Sequence, residues 1–165
     1  MKSLNFNPSK STEEFRKNYR LHDLAEYHGK NLLLQWGVDF MDYGKDKRYE
    51  RVWEKGEDKP DIVAELGDIK FLIDWKGKSK KDFWINKRAF DSYKNWSKNL
   101  NLEVVICFLV FNNKNRLIER SFAILSIHNA NIMEKKAWDR NKIVSFGNDL
   151  PKFTKANLIH FLKSL

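Results

Sequence analysis

The sequence predicts an α/β (α+β) domain, with one mixed central sheet flanked by helices. Three observations predict it. Apolar residues at helical spacing mark two separated stretches, 21–36 and 86–98. Asp61–Leu66 and Ile69–Lys76 read as strands joined by Gly67-Asp68, a hairpin signal. Leu102–Phe111 is an unbroken apolar run, as expected of a strand buried on both faces.

Taken in order, Ser11-Thr12-Glu13-Glu14 reads as a capping box, with Ser11 at the N-cap and a short helix to about Arg20. A second helix runs from about Leu21 to Trp36, with Leu21, Leu24, Ala25, Leu32 and Trp36 inward, and stops at Gly37. Val38–Tyr43 is a candidate strand. Gly44–Lys59, dense in both charge signs, is expected to be an exposed loop or long hairpin ended by Pro60. After the two hairpin strands, Asn86–Lys98 is a helix with Ala89, Phe90, Tyr93 and Trp96 on one side. Arg116–Ile127 is a further strand, Ile132–Trp138 a helix and Ile143–Phe146 a short strand. A last helix starts near Lys155, capped by Thr154.

Composition narrows the class. The 165 residues fit one domain, and surface scaling lets about 70% of the chain's surface be buried. A hydrophobic content of 42% excludes a disordered chain. The single cysteine, Cys107, excludes a disulfide framework and a cysteine-rich zinc site. No apolar run is long enough to span a membrane, and the N-terminus lacks a signal-type apolar core; a cytoplasmic protein is expected. The formal charge of +9 favours a polyanion, nucleic acid first and an anionic membrane surface second.

Register gives the chemistry. A two-residue loop at Gly67-Asp68 pairs Leu66 with Ile69 and, counting outward, Ile62 with Ile73 and Asp61 with Asp74. One face then carries Ile62, Ala64, Leu66, Ile69, Phe71, Ile73 and Trp75 and must be core. The other carries Asp61, Val63, Glu65, Lys70, Leu72, Asp74 and Lys76. Directly opposed carboxylates need a cation, a shared proton or solvent. Two hard oxygen ligands beside an ammonium suit a magnesium ion that also holds a phosphate. A solvated strand start at Asp61 and a plain Asp74–Lys76 ion pair are the competing structural reading.

Pro60-Asp61, then Asp74-Trp75-Lys76 thirteen residues on, resembles the signature of the PD-(D/E)XK nucleases, the restriction-endonuclease-like superfamily. A preceding helix carries Glu26, eleven residues ahead of Gly37, and a basic helix follows. From about Leu21 to Phe111 the order is most similar to archaeal Holliday-junction resolvases. The resemblance implies a restriction-endonuclease-like core over about 21–127, with extensions at 1–20 and 128–165. It implies that Asp61 and Asp74 ligate Mg2+ (Mn2+ substituting), with the Trp75 carbonyl and Glu26 as further ligands. Lys76 would activate the attacking water and stabilise the phosphorane. The chain departs from those resolvases in having no Ser or Thr between Gly37 and Lys78, and Ala89 or Arg88 where they have a glutamine.

Residues 76–98 hold eight basic side chains against two acids. Lys78, Lys80, Lys81, Lys87 and Arg88 are candidate phosphate contacts, with Lys47, Arg48 and Arg51 as a second basic arm. The four histidines lack metal-ligand spacing. The expected activity is Mg-dependent endonucleolytic cleavage of duplex or branched DNA by a homodimer, without an organic cofactor. The alternatives are a restriction or homing-type endonuclease, an RNA nuclease or nickase on the same fold, and a non-catalytic nucleic-acid-binding module.

Overall fold

The computed structural model describes residues 12–43, 58–134 and 142–165. Ser11 and the basic arm Lys47, Arg48 and Arg51 lie outside the described residues, as does most of the expected 44–59 loop. The first element is one helix, α1 (Thr12–Trp36), where the sequence predicts two. Nothing between Thr12 and Leu24 breaks a helix: the stretch has no Gly or Pro and is rich in Glu, Arg, Lys and Leu. The helix ends at Gly37 (φ +72°) in a Schellman motif. Gly37 N–H donates to the Leu34 carbonyl at 3.2 Å and Val38 N–H to the Leu33 carbonyl at 2.9 Å.

Three strands follow: β1 (Asp39–Asp42), β2 (Ile62–Leu66) and β3 (Ile69–Lys78). The β2–β3 register is Leu66 with Ile69 through Ile62 with Ile73, as the two-residue turn requires. Gly67 supplies the positive φ at the first turn position. A short strand that the sequence pattern did not mark, β4 (Trp84–Asn86), leads into α2 (Lys87–Leu100). The chain then runs through β5 (Glu103–Phe111), β6 (Leu117–Ile124), β7 (Asn131–Glu134), β8 (Lys142–Ser145) and α3 (Lys155–Lys163). Thr154 caps α3 by accepting the Asn157 N–H at 3.1 Å.

Two sheets result. The central sheet has the order β1-β2-β3-β5-β6, with β3 and β5 parallel and the other pairs antiparallel. The second has the order β4-β8-β7. The expected helix at Ile132–Trp138 is overturned over its described part, because Asn131–Glu134 pairs with β8 as a strand. Ile132 stands opposite the buried Val144, so strand pairing overrides the local helical pattern. Strand β6 stops at Ile124, short of the expected Ile127, because Ile127 and His128 N–H both turn back to the Ile124 carbonyl.

β5 is covered on both sides. Val105, Cys107, Leu109 and Phe111 pack with α1 and α3, while Val104, Ile106, Phe108 and Val110 pack with α2 and the small sheet. Two glycines let α1 lie close on β3. A Cβ at Gly29 would sit 2.3 Å from the buried Trp75 ring, and one at Gly77 would sit 2.0 Å from the Leu21 carbonyl oxygen. No helix among the described residues is long and apolar enough to cross a membrane.

Gly77→Ala therefore forces backbone apart and should cost about 1–3 kcal/mol. Urea denaturation checks this. Gly29→Ala should cost less, because alanine's helix propensity returns up to about 1 kcal/mol.

Candidate active site

The site forms where β2 peels away from β3. Pro60 has no N–H to extend the ladder. Asp61 N–H still donates to the Ile73 carbonyl at 2.9 Å, and the Asp61 carbonyl accepts from Tyr43 N–H at 2.8 Å. Beyond that point the Asp61 side chain takes over, its Oδ2 accepting the Trp75 N–H at 2.7 Å. Asp61 is thus held through its amide, its carbonyl and its carboxylate.

Asp74 lies on the same sheet face as Leu72 and is 3% exposed. Lys76 Nζ stands 3.0 Å from Asp74 Oδ2. This buried oxygen accepts no well-formed hydrogen bond and has the ammonium as the charge beside it. Burial, and after it the negative charge of Asp74, push the Asp61 carboxyl well above the ordinary carboxylate range. The Trp75 N–H and Lys76 oppose that shift without cancelling it. For Lys76, burial works against the charged form, but Asp74 and Asp61 outweigh it and its pKa is raised. Lys76 stays cationic.

Two neighbours join the site without a functional mark in the sequence. Tyr93 of α2 packs beneath Lys76, whose Nζ is 5.8 Å from the ring centroid. Burial, then Asp74 and Asp61, push its phenol well above the usual range. Asp58 acts on Lys76 from farther off and is bound by Arg88 Nε at 3.1 Å. Tyr93 reads as core in the helical pattern, because a buried aromatic at that spacing looks the same with or without a polar partner. Nothing in the local pattern marks Asp58.

The other expected site residues distribute unevenly. Glu26 accepts from Lys30 at 2.9 Å and stands 3.5 Å from His22, and Lys30 also reaches Asp42 at 2.8 Å. Among the described residues no three His, Cys, Asp or Glu side chains form a metal-ligating group. The Trp75 indole faces away from Asp74, buried near Gly29 and Phe153. Lys78 donates to the Trp84 carbonyl at 2.9 Å and lies 3.9 Å from the Trp84 ring centroid. Lys80 is exposed, and Lys81 is exposed with Glu119 at 3.3 Å. Lys87 is paired with Asp91 at 2.6 Å, and Arg88 with Asp58. Of the residues expected to carry chemistry, Asp61, Asp74 and Lys76 come together.

No family model matches the chain, and no curated protein matches it. Among solved structures, the chain is similar to Hjc, a Holliday junction resolvase from the archaeal hyperthermophile Archaeoglobus fulgidus. The two share 12% identity with a TM-score of 0.47, over 73% of this chain and 85% of that one.

The raised Asp61 pKa fixes the sign of a pH effect. The folded form holds the proton more tightly than the unfolded chain, so Asp61 destabilises the fold as pH rises through its folded pKa. In chelator at pH 8, Asp61→Asn should raise the melting temperature. The gain should fade as pH falls toward about 4, where the unfolded carboxyl also protonates. A lower melting temperature for the variant at pH 8 contradicts this account.

Proposed function

We propose that the chain is a divalent-metal-dependent nuclease that hydrolyses phosphodiester bonds in DNA. One observation carries the reading: a close carboxylate pair, half-buried Asp61 and buried Asp74, with Lys76 3.0 Å from an Asp74 oxygen that accepts no well-formed hydrogen bond. Two crowded carboxylates with a vacant lone pair fit a hard cation with oxygen ligands. Asp61 and Asp74 would hold Mg2+ or Mn2+, with the Trp75 carbonyl as a further candidate ligand. Such an ion supplies Lewis acidity and a more acidic water.

The remaining roles belong to the chain. The Trp75 N–H fixes the orientation of the Asp61 carboxylate. Lys76, kept cationic by both aspartates, would hold the attacking water and oppose the charge that builds on the phosphoryl oxygens. The Tyr93 ring under its stem limits where the ammonium can go. Glu26, engaged with Lys30 and His22, would join directly or through water. Lys80 and Lys81 lie exposed just beyond β3, where they would meet the phosphate backbone. Cutting both strands of a duplex needs two sites, which a two-fold homodimer supplies.

A second reading, a nucleic-acid-binding module without catalysis, is favoured by the engagement of Glu26 with Lys30 and His22. Magnesium separates the two. The wild-type chain with Mg2+ is incubated with a four-way junction, a flap, a linear duplex, a single strand and RNA, and metal binding is followed by calorimetry. Cleavage is expected on a DNA substrate. Asp74→Ala should reduce it by more than the roughly 10–100-fold typical of losing a residue that supports a metal ligand. Binding of DNA without cleavage, and without metal uptake that depends on Asp61, selects the second reading.

A further inference from the structure

We infer that the end of the central sheet beyond Lys78 is a platform for the phosphate backbone of duplex DNA, reaching from the Asp61/Asp74 site across to the β5–β6 turn. This rests on the proposed nuclease reading and names where the flanking duplex lies. β3 and β5 are parallel, so the end of β3 and the 112–116 turn meet at one end of the sheet. Lys78, Val110 and Glu119 share one register row across β3, β5 and β6, a width of roughly 10 Å. Along β3, Lys78 lies roughly 13 Å beyond Asp74.

Charge at this end is one-sided. Lys78, Lys80, Lys81, Lys114, Arg116 and Lys152 stand there against Asp82 and Glu119. Glu119 is spanned by Lys81 and Lys152 and cancels part of their charge, so the remaining excess lies on Lys78, Lys80, Lys114 and Arg116. The turn is also ordered before any ligand arrives. The Asn112 side chain accepts from Lys114 N–H at 2.9 Å and Arg116 N–H at 3.0 Å, and Asn115 adopts the left-handed conformation. Cations on a fixed turn lose less entropy on binding than cations on a loose one.

α1 contributes from the other face. Its Leu21 carbonyl abuts Gly77, and residues 16–20 are all exposed, with Arg16, Lys17 and Arg20 among them. The opposite end of the sheet is acidic. Asp39, Glu65, Asp68 and Glu103 stand there against Lys70. A polyanion extended along β3 therefore has one favourable direction from the site. Duplex DNA carries about one charge per 1.7 Å, so a platform of this size meets several phosphates on one flank of the cut.

The test is binding of a labelled duplex of about 20 bp by the full chain in chelator, titrated from about 50 to 200 mM salt. Lys114→Gln/Arg116→Gln should weaken binding several-fold and reduce the slope of log affinity against log salt by about one to two. Lys70→Gln, at the acidic end, should leave the slope unchanged. Thermal unfolding of each variant shows that it is folded. An unchanged slope in the double variant overturns the inference. So does an equal loss in Lys70→Gln, or binding to anionic lipid vesicles with none to the duplex. Because no metal is present, these outcomes are independent of cleavage. A chain that fails to cut DNA but loses salt dependence as described keeps its platform and loses the nuclease reading.

Discussion

Where β2 leaves the sheet, the Trp75 N–H has no strand neighbour and donates to the Asp61 carboxylate instead. That bond holds one acid against the strand that carries the other. The rest of the site follows from it. Two carboxylates are held close together, Asp74 buried and Asp61 half-buried, and Lys76 supplies a compensating charge beside them. Left alone, such a pair pushes apart or takes up a proton. It persists because β3 cannot move. α1 is seated on it through Gly29 and Gly77, and β5 pairs along its other edge from Phe71 to Lys78. The packing of the core thus sustains an electrostatic arrangement that would not form on a surface hairpin.

Much of this was legible in the sequence because it obeys short-range rules. Gly67-Asp68 fixes a two-residue turn, and the turn fixes every pair from Leu66 with Ile69 to Ile62 with Ile73. The unbroken apolar run of β5 announced burial on both faces, and Gly37 announced the end of α1. What failed depends on partners distant in sequence. Asn131–Glu134 is a strand because β8 offers it an edge. The approach of Tyr93 to the acids depends on how α2 lies on the sheet, and periodicity along the helix carries no information about that. Glu26 sits on the expected helix, but its ion pairs with Lys30 and His22 follow from side-chain reach rather than from spacing to Asp61.

Basic residues close together in sequence separate into two populations in space. Lys87 and Arg88 are spent on Asp91 and Asp58, so their charge stabilises the fold around α2. Arg88 and the Trp96 indole N–H, which donates to the Asp58 carbonyl at 2.9 Å, together anchor the approach to Pro60. Lys80, Lys81, Lys114 and Arg116 gather at the end of the sheet, although more than thirty residues separate the first from the last. A local charge count along the chain therefore overstates what α2 offers to a partner and understates what the β5–β6 turn offers.

The alternation of Asp74, Trp75 and Lys76 ties two kinds of inheritance together. Two of these side chains serve the charged face, and the third fills the core beside Gly29 and Phe153. A strand has a repeat of two, so a residue inserted or deleted within Ile69–Ile73, unless a bulge absorbs it, would turn the acid and the lysine into the core and the indole outward. Both losses would arrive in one step. The reading frame of the site is guarded by the Trp75 indole, a side chain that faces away from it.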